Sequence, residues 1–448
     1  MTEPPDPTPG PPNPGESTAP RWAFWRRPES VFGNRDYLVL LTGQTISGVG
    51  STMGTFVFPL VALQITGSTV QAGLVGTAAG LAQWLLGLPA GALVDRWHRR
   101  HVMLASEGAG ALLFGSLVVA SATGHLTLAH LMIVAFGVTA GSCFFGPAEN
   151  AALPLVVGVT QLPTALAANQ ARSAAAGLVG APAGGALLAV GRAFPFIAAT
   201  ITYSVSWIAL LFLRTPLPGP PRGSAKPHLP REIKEGLAFV WANPFMRIVL
   251  INAAIINLGV NGLFLVVNLH LYQTGVAPAA IGAIDTIAGI AAIVGSTLTG
   301  TVMKRVRPGV IAIVTFWGWV LACLPIPLTH NVVIVGGCIG FGMLINPVGN
   351  AVLMAYRTAI TPDRLQGRSM SAIMVVAQAA APIAPILGGW LLAHEGHYVA
   401  MYGFVALLVI AAIIVSVSKA VRAVPMASEW GKLKPAENDG DMSPSDVS

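Results

Sequence analysis

The sequence predicts an all-α integral membrane protein, with twelve transmembrane helices in two six-helix pseudo-repeats. Composition is the first observation. The chain is 54% hydrophobic and 10% charged, with a mean hydropathy of +0.69. Length is the second. Apolar runs extend from about residue 37 to about residue 420, and a membrane helix uses about 20 apolar residues, so the run holds roughly twelve spans joined by short loops. Internal repetition is the third. Gly146-Pro147-Ala148-Glu149-Asn150-Ala151 matches Asn346-Pro347-Val348-Gly349-Asn350-Ala351, and Pro182-Ala183-Gly184-Gly185 matches Pro385-Ile386-Leu387-Gly388-Gly389 with one residue inserted.

Taken in order, residues 1–36 read as a disordered, Pro-rich tail and an interfacial lead-in, where arginines flank Trp22, Phe24 and Trp25. The N-terminal bundle covers 37–213, with spans at about 37–63, 70–93, 102–121, 126–149, 165–190 and 194–213. Gly76-x-x-x-Gly80 and Gly87-x-x-x-Gly91 in span 2 permit close helix packing. Residues 214–243 turn polar and Pro-rich, with an amphipathic piece at Arg231–Leu237, and read as a linker between halves. The C-terminal bundle covers 244–420, with spans at about 245–272, 278–303, 309–329, 332–356, 367–393 and 398–419. Residues 421–448 read as a second tail. The 50 Gly and 34 Pro suit membrane helices, where kinks and close backbones find partners nearby. Cys143, Cys323 and Cys338 lack ligand spacing and read as small core residues.

Charge placement sets the orientation. Of the 25 Lys and Arg, all but Arg172, Arg192 and Arg247 fall in the tails or the even-numbered loops. That asymmetry predicts a cell-membrane protein with both termini cytoplasmic. The net charge of +7 is spread over helix ends, which points to anionic lipid and not to nucleic acid.

The loop after span 2 reads Gly91-Ala92-Leu93-Val94-Asp95-Arg96-Trp97-His98-Arg99-Arg100. Its G-x-x-x-D-R-x-x-R-R spacing resembles the signature loop of major facilitator superfamily transporters, with His98 where the family usually has Gly. Gly300…Lys304-Arg305 corresponds to it loosely in the second half. Further phrases resemble the secretion-effector branch, which includes enterobactin exporters and macrolide efflux proteins. They are Gly43-Gln44-Thr45-Ile46-Ser47-Gly48-Val49-Gly50, Leu162-Pro163-Thr164-Ala165, Gly180-Ala181-Pro182-Ala183-Gly184-Gly185 and Glu232-Ile233-Lys234-Glu235-Gly236-Leu237. The chain departs from the branch at Ser51, where Asp is frequent, and lacks the membrane-embedded Arg that many drug/proton antiporters carry in span 4. The resemblance implies the major facilitator fold and a cytoplasmic gate at Gly91, Asp95, Arg96, Arg99 and Arg100, with Asp95 meeting the N-terminal end of span 11. A carboxylate at a helix N-terminus gains up to about 2 kcal/mol when partly buried. It also implies an antiporter motif at Pro182, Gly184 and Gly185, where Pro and Gly suit a bend between halves.

Intramembrane acids are costly and mark ion or substrate paths. Asp285 lies in span 8, roughly 10 Å deep at about 1.5 Å per residue. Asp285, Glu149 and Glu107 are the proton-coupling candidates, the last two also as partners of arginines such as Arg172. Gln44, Ser47 and Ser51 in span 1 and Asn257, Asn261 and Asn268 in span 7 recur at helical spacing and are candidates for a polar wall of the substrate cavity, with interhelical hydrogen bonding as the alternative. His394, Glu395 and His397 mark an outer loop that reads as solvated, with a weak metal or proton antenna as the alternative. No metal, cofactor or catalytic residue is expected, because no G-x-S-x-G, H-E-x-x-H or Walker sequence occurs. The expected protein is a monomeric secondary transporter. It exports an amphipathic small molecule, such as a siderophore, macrolide-like antibiotic or lipophilic drug, by proton antiport. A metabolite importer or facilitator of the same fold is the alternative.

Overall fold

The computed structural model describes residues 30–217, 229–426 and 429–430. Residues 1–29, the middle of the expected linker (218–228) and most of the C-terminal tail lie outside the described residues. Among the described residues there is no strand, and twelve stretches are helical, long and apolar enough to cross a membrane. Spans 1–6 are α1 (Arg35–Thr66), α2 (Thr69–Val94), α3 (Arg99–Ala122), α4 (Leu128–Val156), α5 (Leu162–Val190) and α6 (Phe194–Leu211). A linker helix, α7 (Leu229–Ala242), precedes spans 7–10, which are α8 (Pro244–Gln273), α9 (Pro278–Arg305), α10 (Pro308–Cys323) and α11 (Val332–Ile360). Span 11 is α12 (Asp363–Gln378) followed by α13 (Ala380–His394), span 12 is α14 (Gly396–Val417), and a short α15 (Lys419–Arg422) follows. Large apolar side chains stay exposed around the bundle, among them Leu112 (78%), Ile133 (64%) and Leu321 (65%). Such a belt is stable only where hydrocarbon covers it.

Several helices overrun their apolar windows, because caps rather than hydropathy fix where a helix begins. Asn34 Oδ1 accepts from the backbone N–H of Asp36 and Tyr37 at 3.0 and 3.2 Å, which starts α1 at Arg35. The Asp36 carboxylate then accepts from the N–H groups of Arg214 (3.1 Å) and Thr215 (2.6 Å), tying the start of span 1 to the chain leaving span 6. Span 11, expected to be continuous, is interrupted at Ala379. Pro382 and Pro385 lack the N–H groups that would bond to Gln378 and Ala381, so the ladder fails there.

The two halves meet through spans 2 and 11 and through spans 5 and 8, and the contact is lopsided along the bundle axis. At the end away from the described termini, glycines lie directly on opposing backbone. A Cβ on Gly73 or Gly80 would sit 2.3 Å from the carbonyl oxygen of Pro385 or Ala381, and one on Gly185 would sit 2.2 Å from that of Pro278. Three threonines stitch the same seam. Thr69 Oγ1 donates to Gly389 O (2.8 Å), Thr77 Oγ1 to Pro382 O (2.8 Å) and Thr286 Oγ1 to Leu178 O (2.6 Å). Leu178 has that carbonyl to offer because Pro182, four residues on, has no N–H. At the end carrying the described termini, a Cβ on Gly91, Gly300 or Gly367 would meet nothing within 4 Å. The structure is therefore closed at one end and parted at the other.

Candidate functional site: the central cavity

A cavity of about 650 Å³ lies between the halves, beneath the closed seam. Its walls are largely apolar, with Phe56, Phe58, Val75, Phe264 and Leu265, and among its described lining residues Asp285 is the one charged side chain. The polar lining includes Ser51 and Thr55 from span 1, Gln83 from span 2, Ser142 from span 4, Asn257, Asn261 and Asn268 from span 7 and Gln378 from span 11. Asn257 Nδ2 donates to Ala253 O and Asn261 Nδ2 to Asn257 O, both at 2.8 Å, so each amide nitrogen is occupied by its own helix. Their side-chain oxygens take no donor among the described residues and remain available as acceptors. Asp285 is held beside the seam by its neighbours, since Gly282 abuts the Ala181 carbonyl and Thr286 bonds to Leu178.

Ser51, Asn257, Asn261, Asn268 and Asp285 thus share one cavity. Gln44 and Ser47 do not join them. They lie inside the N-terminal half, where span 1 is packed among spans 3 and 6, and both face Glu107. Gln44 Nε2 and Ser47 Oγ donate to Glu107 Oε1 at 3.3 and 3.2 Å, and Gln44 Nε2 also reaches Ser206 Oγ at 3.0 Å. Glu107 is 4% exposed, and its Oε2 is buried without a hydrogen-bond partner. Glu149 accepts from Arg172 Nη2 (3.0 Å) and Asn169 Nδ2 (3.4 Å), an ion pair within the same half. A smaller cavity of about 190 Å³ separates the two acids, and Ser51 and Ser142 line both it and the central cavity. The N-half acids therefore stand one polar wall away from the central space.

The residues expected to form the gate are dispersed. Asp95 is exposed and makes no hydrogen bond or ion pair with span 11 among the described residues. Arg96 is exposed, Arg99 Nε is buried without a partner, and Arg100 Nη2 donates to Leu211 O (3.1 Å) at the end of span 6. In the Pro182 motif, Gly184 packs on Met53 and Val57 of span 1, while Gly185 faces Pro278 of span 8.

Two features escape the sequence patterns. In the C-terminal half a cavity of about 390 Å³ holds Arg357, which is 9% exposed and touches Met354 and Met370 sulfurs but no acid among the described residues. Asn252 lines the same cavity with both side-chain polar atoms unpartnered. The signal available in the sequence is the Asn346/Asn350 pair and an arginine in the last turn of an apolar helix. Secondly, His270, His330 and His397 come together although they are far apart in the chain and share no local spacing.

A model of the Major Facilitator Superfamily matches residues 40–344 and 253–434. The multidrug efflux pump Tap of Mycolicibacterium fortuitum is 28% identical over 375 residues, covering 79% of this chain and 88% of that protein. Macrolide efflux protein A of Streptococcus pyogenes is 24% identical over 241 residues, covering 53% and 60%. Among solved structures, a bacterial homologue of the iron transporter ferroportin in an inward-facing state aligns with a TM-score of 0.67 at 15% identity, covering 86% of this chain and 98% of that one. A bacterial homologue of the lysosomal transporter Spinster, inward-facing and unoccupied, aligns at 0.65 and 17% identity, covering 87% and 97%. With twelve apolar spans, a six-plus-six repeat and a family match over most of its length, this chain belongs to the Major Facilitator Superfamily and is a multi-pass membrane transporter, not an enzyme.

Proposed function

We propose that this transporter exports amphipathic small molecules from the cytoplasm by alternating access, with proton antiport through Asp285. The cavity carries the reading: apolar aromatic walls, a row of amide and hydroxyl groups, and one carboxylate. Such a space accepts a lipophilic body by burial and orients its polar part with few hydrogen bonds. A lipophilic drug, macrolide-like antibiotic or siderophore fits that description, and the efflux pumps similar to this chain support the export direction.

The carboxylate provides the coupling. Closing a dry cavity over an ionised acid is costly, while closing it over a protonated acid or over an acid paired with a cationic substrate is not. Proton and substrate therefore compete to license closure, which is the requirement for antiport. The basic residues crowd the parted end, so the positive-inside tendency supports placing that end and both termini in the cytoplasm of a cell-membrane monomer. The structure is then cytoplasm-open, and the separation of Asp95 from span 11 is the unlatched form of the gate. Resealing that end brings Asp95 to the start of α12.

The test is uptake into inverted membrane vesicles under an imposed proton gradient, across siderophores, macrolides and lipophilic cations, with Asp285→Asn beside the parent. Gradient-driven accumulation lost in the variant supports both parts. Accumulation retained in the variant keeps export and moves coupling to Glu107 or Glu149. Uptake confined to right-side-out vesicles overturns export in favour of import.

A further inference from the structure

We infer that His270, His330 and His397 form a binding site for a borderline divalent transition-metal ion, such as Zn²⁺ or Ni²⁺, at the closed end of the C-terminal half. His270 stands in the last turn of α8, His330 in the loop before α11 and His397 in the first turn of α14. The loop-rich end of the fold thus collects three imidazoles from three separate elements. The His270 and His397 rings are stacked at 4.0 Å and 11°, and His330 lies 5.1 Å from the first and 6.1 Å from the second. One ring nitrogen from each lies within 4.8 Å of the other two.

These rings are not serving as hydrogen-bonding groups. None takes a hydrogen bond among the described residues, and His397 Nε2 is buried with no partner. His270 is 9% exposed, so its ring too is largely withdrawn from water. Buried imidazole nitrogens normally find a partner, because an unsatisfied polar atom keeps the full cost of its lost hydration. A cation is the partner that satisfies three converging lone pairs at once. With metal–nitrogen bonds of about 2.0–2.1 Å, a tetrahedral ion spaces its nitrogens by about 3.3 Å and lies in the plane of each ring, so binding requires the stacked His270 and His397 rings to turn out of parallel. Three imidazoles with a fourth position open suit Zn²⁺, Ni²⁺ or Cu²⁺, while Mg²⁺ and Ca²⁺ demand oxygen ligands. His330 is exposed and offers the route of entry.

The site is distinct from the transport path, since none of the three histidines lines the central cavity. It would tie the tip of span 7 to the loop between spans 9 and 10 and to the start of span 12. Tyr272, two residues beyond His270, receives the Gln64 amide of span 1 across the seam, so the metal would brace a residue of the closed-end contact.

The experiment is metal binding to the full-length, tag-free protein in detergent after chelator treatment. Zn²⁺, Ni²⁺ and Mg²⁺ are titrated separately, and thermal unfolding is followed in parallel. His330→Ala is the main variant, because the residue is exposed and in a loop. His98→Ala/His101→Ala serves as a control for the other histidine pair. Expected is one Zn²⁺ per chain with a rise in melting temperature, and no response to Mg²⁺. Even loss of an outer-shell partner costs about 10–100-fold in metal affinity, so His330→Ala should weaken Zn²⁺ by at least about tenfold. The control pair should leave it unchanged. Absence of stoichiometric Zn²⁺ binding by the parent, or equal binding by folded His330→Ala, would overturn the assignment.

Discussion

Gly185→Ala tests the seam directly. A Cβ on Gly185 would lie 2.2 Å from Pro278 O, 2.4 Å from its carbonyl carbon and 2.7 Å from Ala279 N, all backbone atoms. Ordinary Cβ contact begins at 3.4 Å, so spans 5 and 8 must part by about 1.2 Å, the difference between 3.4 and 2.2 Å. No side chain can swing aside to absorb it. Overpacking of this kind costs about 1–3 kcal/mol. The cost falls only on the conformation in which this end is closed, so the population ratio between the two end states should shift by about 5–150-fold. Alanine's helix preference, about 0.5–1 kcal/mol, applies to both states and cancels. The assay is pulsed electron–electron distance measurement between spin labels at Val190 and Leu328, exposed residues at the closed end of the two halves, with Cys143, Cys323 and Cys338 replaced by Ala. The parent should favour the shorter distance and Gly185→Ala the longer. Gly403→Ala, where a Cβ meets nothing within 4 Å, is the control. Superimposable distributions for parent and Gly185→Ala, in folded protein, would refute the claim that backbone contact at this seam sets the state.

Other perturbations follow from the same contacts. Arg172→Ala leaves the Glu149 carboxylate, 7% exposed, without its ion pair. Breaking a buried pair costs about 3–5 kcal/mol, so melting should fall sharply and be partly restored by adding Glu149→Gln. Arg368→Ala breaks a pair with Glu235 that is 42% and 37% exposed, and the loss of stability should stay below about 1 kcal/mol. Gly236→Val, by contrast, drives a Cβ to 2.1 Å from Arg368 O and should detach α7 from α12, read as faster proteolysis of the linker. Asp95→Asn should leave thermal stability unchanged, because Asp95 has no partner across the halves among the described residues. It should slow transport and raise labelling of cysteines placed at the parted end.

The spans were legible because a membrane helix must announce itself by length and hydropathy, and the six-plus-six repeat supplied the architecture. Not every end was: Asn34 starts α1 at Arg35, a polar residue that hydropathy excludes, whereas span 7 begins at Pro244, within one residue of its expected start. The break in span 11 had a visible cause in Pro382 and Pro385, yet prolines within α1, α2 and α4 leave those helices continuous. Neighbouring packing, not proline alone, decides the outcome. The span 1 stripe fits either a cavity wall or interhelical hydrogen bonding, and Ser51 follows the first while Gln44 and Ser47 follow the second. Its inner portion answers Glu107, since a 32-residue helix meets different neighbours at different depths. Asp285, Ser51 and the span 7 asparagines share a cavity because the repeat places spans 1 and 7 in equivalent positions. The histidine trio had no periodicity to betray it, as its members come from the end of α8, the loop before α11 and the start of α14, which only the tertiary fold assembles.

The seam at the closed end has a further consequence. Its stitches are threonine hydroxyls on carbonyls, and its contact surface is glycine on backbone, so no net charge is drawn together or separated when it opens. The closure assigned to Asp95 at the other end is made of a carboxylate, arginines and a helix terminus, all within reach of counterions. On the proposed gating role of Asp95, the molecule would have two latches of different kinds, one short-ranged and indifferent to salt, the other electrostatic and tunable. Ionic strength and anionic lipid should act on only one of them. The balance between the two end states then becomes a reporter of the membrane surface the transporter inhabits, without any dedicated sensor domain.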